Sequence, residues 1–114
     1  MSAAMDVASV IGNADSEFPA LFQLFGGYFH RDWRDEYDTP AAALSAFLEE
    51  APPAAVREAV VELDRLLELP LGQDGLGRLL RQGFDCNYMP STDGLDDSQW
   101  LRLVRERLQP RDRR

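Results

Sequence analysis

Residues 18–33 read Phe18-Pro19-Ala20-Leu21-Phe22-Gln23-Leu24-Phe25-Gly26-Gly27-Tyr28-Phe29-His30-Arg31-Asp32-Trp33. Phe18, Phe22, Phe25, Phe29 and Trp33 follow one another at +4, +3, +4 and +4, the spacing of one helix face. Leu21, Leu24 and Tyr28 widen that face. Ser16 offers a cap, with Glu17 and Pro19 in the first turn, where acids and proline are favoured. The pattern predicts a helix from Ser16 to Trp33. Within it, Gly26 and Gly27 each cost about 1 kcal/mol relative to alanine. Such a pair marks either a break or a place where another element meets bare backbone. The expectation is close packing.

Helical signals continue outward from this stretch. Thr39-Pro40 is a cap followed by a first-turn proline, and Leu44, Phe47 and Leu48 form the apolar face behind it. Pro52-Pro53 closes that element and opens the next, in which Val56, Val60, Leu63 and Leu67 repeat at helical spacing until Pro70 and Gly72. Asp74 is a candidate cap for a fourth helix through Leu76, Leu79 and Leu80, with Gly83 as its left-handed stop. Residues 85–95 read as a loop. Asp96-x-x-Gln99 resembles a capping box ahead of a last helix that points Trp100, Leu101, Val104 and Leu108 inward. No segment alternates with period two. The predicted fold is all-α, a compact bundle of about five helices.

With 114 residues the chain is the size of one domain. Residues 1–15 are expected to be a flexible leader with a short turn at Val7, Val10 and Ile11, residues 16–110 the helical domain, and 111–114 a basic tail. The single cysteine, Cys86, allows no intramolecular disulfide, which fits a reducing, cytoplasmic compartment. No stretch has the length and apolarity of a membrane span, and the first residues lack a secretory pattern. Net charge is −8, and all 12 basic residues are arginine. The charge is uneven: residues 1–100 hold 18 acids and 6 Arg, residues 101–114 hold 2 acids and 6 Arg. An acidic body does not grip nucleic acid through phosphates and is repelled by anionic membranes; it attracts a basic partner.

Candidate chemistry is sparse. His30 is the only histidine, with Asp32 and Asp35 close by in sequence. A His–Asp couple suits general acid–base work, but no serine or cysteine sits in a nucleophile motif, so catalysis is not expected. Neither is a metal site: arginines interrupt the carboxylates of residues 32–38, and calcium-loop spacing is absent. No cofactor is expected. His30 and Asp32 read instead as structural, tying the end of the first helix to another element. The acids gather in three places: Asp35, Glu36 and Asp38; Asp93, Asp96 and Asp97; and Glu58, Glu62 and Glu68 on the 53–69 helix. A competing reading is an adaptor or small-ligand domain with a pocket lined by Phe22, Phe25 and Trp33.

The string Phe25-Gly26-Gly27-Tyr28-Phe29-His30-x-Asp32-Trp33, preceded by Phe18-Pro19-x-Leu21 and followed by Glu36-Tyr37 and Thr39-Pro40, resembles the helical immunity proteins of contact-dependent growth inhibition systems. Gly83, Tyr88, Pro90 and Trp100-Leu101 are similar to that family's C-terminal end. The resemblance covers about residues 17–109; one departure is Arg31, where glutamine is the family's expected residue. It implies an all-α protein that binds the toxic C-terminal domain of a matching secreted effector inside the producing cell. Such toxins are often nucleases, hence basic. A motif shared among proteins that meet different toxins is expected to be scaffold: Phe25, Gly26, Gly27, Tyr28, Phe29, His30, Asp32 and Trp33. Recognition is then expected from Asp35, Glu36, Asp38, Asp93, Asp96 and Asp97, with Glu58, Glu62 and Glu68 as a second face.

Overall fold

A computed structural model describes residues 7–109. Its elements are α1 (Val7–Gly12), α2 (Ala14–Glu17), α3 (Pro19–Tyr28), α4 (Trp33–Glu36), α5 (Pro40–Glu50), α6 (Pro53–Glu68), α7 (Gly72–Arg78) and α8 (Asp97–Leu108). A π-helical turn, Leu79–Gly83, extends α7, and a 3₁₀ turn covers Pro90–Asp93. Five of the α-helices have seven or more residues and no strand occurs among the described residues, so the all-α bundle stands.

Prolines at the first helical position open α3, α5 and α6, where the missing N–H is no loss. Thr39 caps α5 by accepting the Ala42 N–H at 3.1 Å. Asp96 and Gln99 form the full capping box of α8, at 2.8 and 2.9 Å. The longest helix, α6, lies at the centre, packed on α3 and α8, while α5 covers the other side of both. Its Val56, Ala59, Leu63 and Leu66 are buried.

Aromatic rings fill the junction of α3, α8 and the 84–88 segment. Trp100 meets Tyr88 at 4.9 Å, Phe29 at 5.3 Å and Phe25 at 5.5 Å between centroids. Trp33 and Phe84 close the cluster against Phe29 and Phe25 at 5.4 and 5.5 Å. Burying each such ring is worth roughly 1.5–3 kcal/mol, so this cluster fixes how α3 and α8 meet.

Several sequence expectations are corrected. The 16–33 segment is not one helix: α2 ends at Glu17, α3 stops after Tyr28, and α4 starts afresh at Trp33. Ser16 does not cap; its hydroxyl donates to the Asn13 carbonyl. Phe22 leaves the apolar face and is 37% exposed. Close packing holds at Gly26, where a Cβ would sit 3.1 Å from the Phe84 carbonyl oxygen, whereas Gly27 faces open space. Asp74 lies inside the first turn of α7 without capping it. Gly83 is not left-handed; Asp85 takes that conformation, with φ of 56°. Gly83 is small because a Cβ there would come within 2.8 Å of Leu79 Cδ1 and 3.1 Å of Ala14 Cβ. The leader expectation also changes over residues 7–15: α1 and α2 pack on the Leu79–Gly83 turn, and Ala14 is buried. Residues 1–6 of that leader and the 111–114 tail lie outside the described residues.

Candidate functional site

The first acidic group follows from the break after α3. Once the chain leaves α3, Asn87 holds it: the Asn87 backbone N–H and side-chain amide both donate to the Phe29 carbonyl, at 2.8 and 3.3 Å. Trp33 is buried as the first residue of α4, so a helix this short has to point its remaining residues outward. Asp35, Glu36 and Asp38 are all exposed. Glu36 lies 3.4 Å from His30 Nε2, and Arg34 stacks on the Trp33 ring at 4.7 Å. His30 Nδ1 accepts the Asp32 N–H at 3.1 Å. The Asp32 carboxylate is exposed and makes no hydrogen bond among the described residues. The expected His30–Asp32 tie to another element is therefore corrected: Asn87 makes it, by backbone and side chain, to the Phe29 carbonyl.

Next to this group Tyr28 and Tyr37 stack with centroids 6.2 Å apart, and the Tyr28 hydroxyl donates to Glu50 Oε1 at 2.7 Å. Burial, then the hydrogen bond to Glu50, pushes the Tyr28 phenol up to about 12. Tyr37 is shifted the same way by burial and by Glu50 and Glu36.

The second group is largely committed within the fold. Asp96 caps α8 and accepts from Gln99 N–H and the Ser98 hydroxyl. Asp97 pairs with Arg81 Nη2 at 2.9 and 3.2 Å, over the bare backbone of Gly77, where a Cβ would come within 2.9 Å of both. Asp93 is exposed and accepts the Tyr88 hydroxyl. That bond uses one of its oxygens and fixes the direction of the other.

On α6, Glu58 and Glu68 are exposed, but they share their face with Arg57, Arg65 and Val61, which is 58% exposed. Arg65 stacks on the Phe18 ring at 4.6 Å and donates to the Glu17 carbonyl. The face is mixed in charge rather than acidic. Glu62 does not belong to it. It is 1% exposed, and its two oxygens accept the Leu21 and Ala20 N–H groups at 2.9 and 3.2 Å. These are orphan donors at the start of α3, which Phe18 at the cap position cannot satisfy. Glu62 thus caps α3 from α6 and is not available to a partner. Sequence spacing carried the signal: Glu62 stands at +3 from Ala59 and −4 from Leu66, both on the buried stripe. Asp64 makes a second internal tie, to Arg105 of α8; the guanidinium holds its carboxyl below the ordinary range.

A groove of about 590 Å³ opens between the start of α5, the 88–95 segment and α8. Leu44, Leu95, Trp100 and Leu103 give it an apolar floor, and Leu103 is 48% exposed. Asp93 and Glu106 stand on its walls together with Arg107. The expected aromatic pocket is not formed: Phe25 and Trp33 are buried in the core, and Phe22 faces outward. Among the described residues no three His, Cys, Asp or Glu side chains gather as a metal site, and no helix is long and apolar enough to cross a membrane.

The result is an all-α domain with a packed aromatic core and outward carboxylates. The chain belongs to the CdiI immunity protein family, whose model matches residues 17–108, from the end of α2 to the end of α8. It is the immunity partner of a contact-dependent growth inhibition system. Its fold is similar to that of a chain in the crystal structure of a CdiA-CT/CdiI complex from Y. kristensenii 33638, with a TM-score of 0.77 and 23% identity. That match covers 82% of this chain and 100% of the other. No curated protein sequence matches significantly.

Proposed function

We propose that this protein neutralises the C-terminal toxin domain of its cognate effector by stoichiometric binding through an acidic surface, in the cytoplasm of the producing cell and without catalysis. The observation that carries this reading is the family match over residues 17–108, which takes in α3 to α8. The solved relative, described as a complex of CdiA-CT with CdiI, supports the same kind of partnership here. Charge supports the finer part. Residues 1–100 contain 18 acids against 6 Arg, and Asp35, Asp38, Glu58 and Glu68 form no ion pair among the described residues.

The partner this surface suits is basic, and a nuclease is the fitting class, since an enzyme that holds a polyanion must be cationic at its site. Exposed carboxylates raise the encounter rate, and charge-assisted hydrogen bonds to Arg or Lys hold the complex once water is excluded. Asp35, Glu36, Asp38 and Asp93 lead the candidate set. Glu58 and Glu68 follow, because Arg57 and Arg65 offset them. Asp96 and Asp97 already serve the fold and contribute less. Stopped-flow association with the toxin domain of the cognate effector tests the reading. Steering predicts a rate that falls at least about tenfold between low and high salt; a rate insensitive to salt contradicts it.

A further inference from the structure

The groove between α5 and α8 has a feature that the acidic groups lack: apolar area that the fold leaves open. Leu103 lies on α8 between Arg102 and Val104, and its neighbours in the groove are Leu44, Leu95 and Trp100. The walls are stiff. Thr39 caps α5, Asp96 and Gln99 box the start of α8, and Tyr88 holds Asp93. A rigid apolar depression with one wall carboxylate, Asp93, already oriented loses little entropy when it is filled.

Other concavities suit a basic partner less well. The one between α5, α6 and the end of α8 has Arg57 and Arg107 as its charged lining. The one beside α7 is occupied by the Arg81–Asp97 pair and has little apolar surface. In the Leu103 groove the carboxylates Asp93 and Glu106 outnumber the single Arg107.

We infer that the Leu103 groove is the central anchoring site for the toxin, and that it receives an apolar side chain flanked by Arg or Lys from a basic loop of that domain. This inference rests on the toxin-binding reading and narrows it. The apolar side chain covers Leu103 and the edges of Leu44 and Trp100, while the flanking cations reach Asp93 and Glu106. Asp35, Glu36 and Asp38 then act from the rim, on the rate of encounter more than on the lifetime of the complex.

The test measures binding of the purified C-terminal toxin domain of the cognate effector to this protein and its variants. Leu103→Arg removes the anchor and places a cation in the same groove as Asp93 and Glu106, the carboxylates that the flanking cations reach. The position is half exposed, so the fold should tolerate it, and matching melting curves check this. Binding weaker by at least about 30-fold is expected. The Asp93→Asn/Glu106→Gln double variant, exposed at both positions, should shorten the lifetime of the complex, and Glu58→Gln/Glu68→Gln should shorten it less. Wild-type affinity in Leu103→Arg, or a larger loss in Glu58→Gln/Glu68→Gln, overturns the groove assignment while toxin binding stands. A wild-type protein that fails to bind the toxin removes the reading beneath it. A homodimer that dissociates on Leu103→Arg assigns the groove to a second copy and also overturns the proposal.

Discussion

Glu62 Oε1 accepts the Leu21 N–H at 2.9 Å, across 41 residues of sequence, from inside the core. With Oε2 on the Ala20 N–H at 3.2 Å, one side chain of α6 serves as the N-terminal cap of α3. The local sequence gives α3 no other acceptor, because Phe18 fills the cap position. Glu62→Ala therefore leaves two donors unsatisfied in a buried place and should cost about 2–4 kcal/mol, read by denaturant unfolding. The pH dependence has a definite sign. Burial, the largest influence, raises the Glu62 pKa, and the two N–H bonds offset it in part. The folded state thus keeps the proton to higher pH than the unfolded chain. The resulting stabilisation is present at acid pH and lost as pH rises through the raised value. Wild-type stability minus that of Glu62→Gln should fall as pH rises above the ordinary glutamate range; a difference that grows with pH refutes the assignment. Asp64, held low by Arg105, works in the opposite direction and is common to both proteins.

The three tyrosines should resist ionisation. Tyr28, Tyr37 and Tyr88 are all shifted upward, first by burial and then by Glu50, by Glu50 with Glu36, and by Asp93 respectively. Unfolded phenols ionise near pH 10. Absorbance of tyrosinate should therefore stay low past that pH and then rise together with unfolding, because the unfolded chain releases protons that the folded one keeps. A smooth titration centred near pH 10 in the folded protein would count against these environments.

Cys86 should be silent in the native state. It is 2% exposed, and burial pushes its thiol up to about 12. Alkylation at neutral pH is expected to follow global unfolding, with the same denaturant midpoint as circular dichroism. Rapid labelling without denaturant would show that the 84–88 segment opens locally.

His30 and Asp32 should separate in a melting experiment. His30 accepts a backbone N–H and lies beside Glu36, so His30→Ala should lower stability by about 0.5–1.5 kcal/mol. The Asp32 carboxylate is exposed, so Asp32→Ala should stay within about 0.5 kcal/mol of wild type. Equal, large losses would restore a paired structural role.

Much of the fold was legible because local signals agree with the packing. The Thr39-Pro40 start, the Asp96–Gln99 box and the Trp100, Leu101, Val104 and Leu108 face are local codes, and the structure uses them as read. What sequence spacing did not reveal depends on distant partners. Periodicity continued from Phe18 to Trp33, yet the Phe29 carbonyl is taken by Asn87 and the helix ends there. By sequence Glu62 is one more recognition candidate; α3 places its first turn against it and takes both oxygens. Likewise Asp97 looked free until Arg81, sixteen residues earlier, was brought beside it. Charge counts identify acidic segments; only the fold shows which carboxylates are already occupied. The groove around Leu103 joins three segments far apart in sequence, and no single segment announces it.

The most direct test of neutralisation by binding is a titration of the purified cognate toxin domain, at fixed concentration, with this protein while the toxin's activity is followed. Stoichiometric capture predicts activity falling linearly to zero at one molecule of protein per toxin. Full protection far below equivalence, or undiminished toxin activity at excess, would contradict the account.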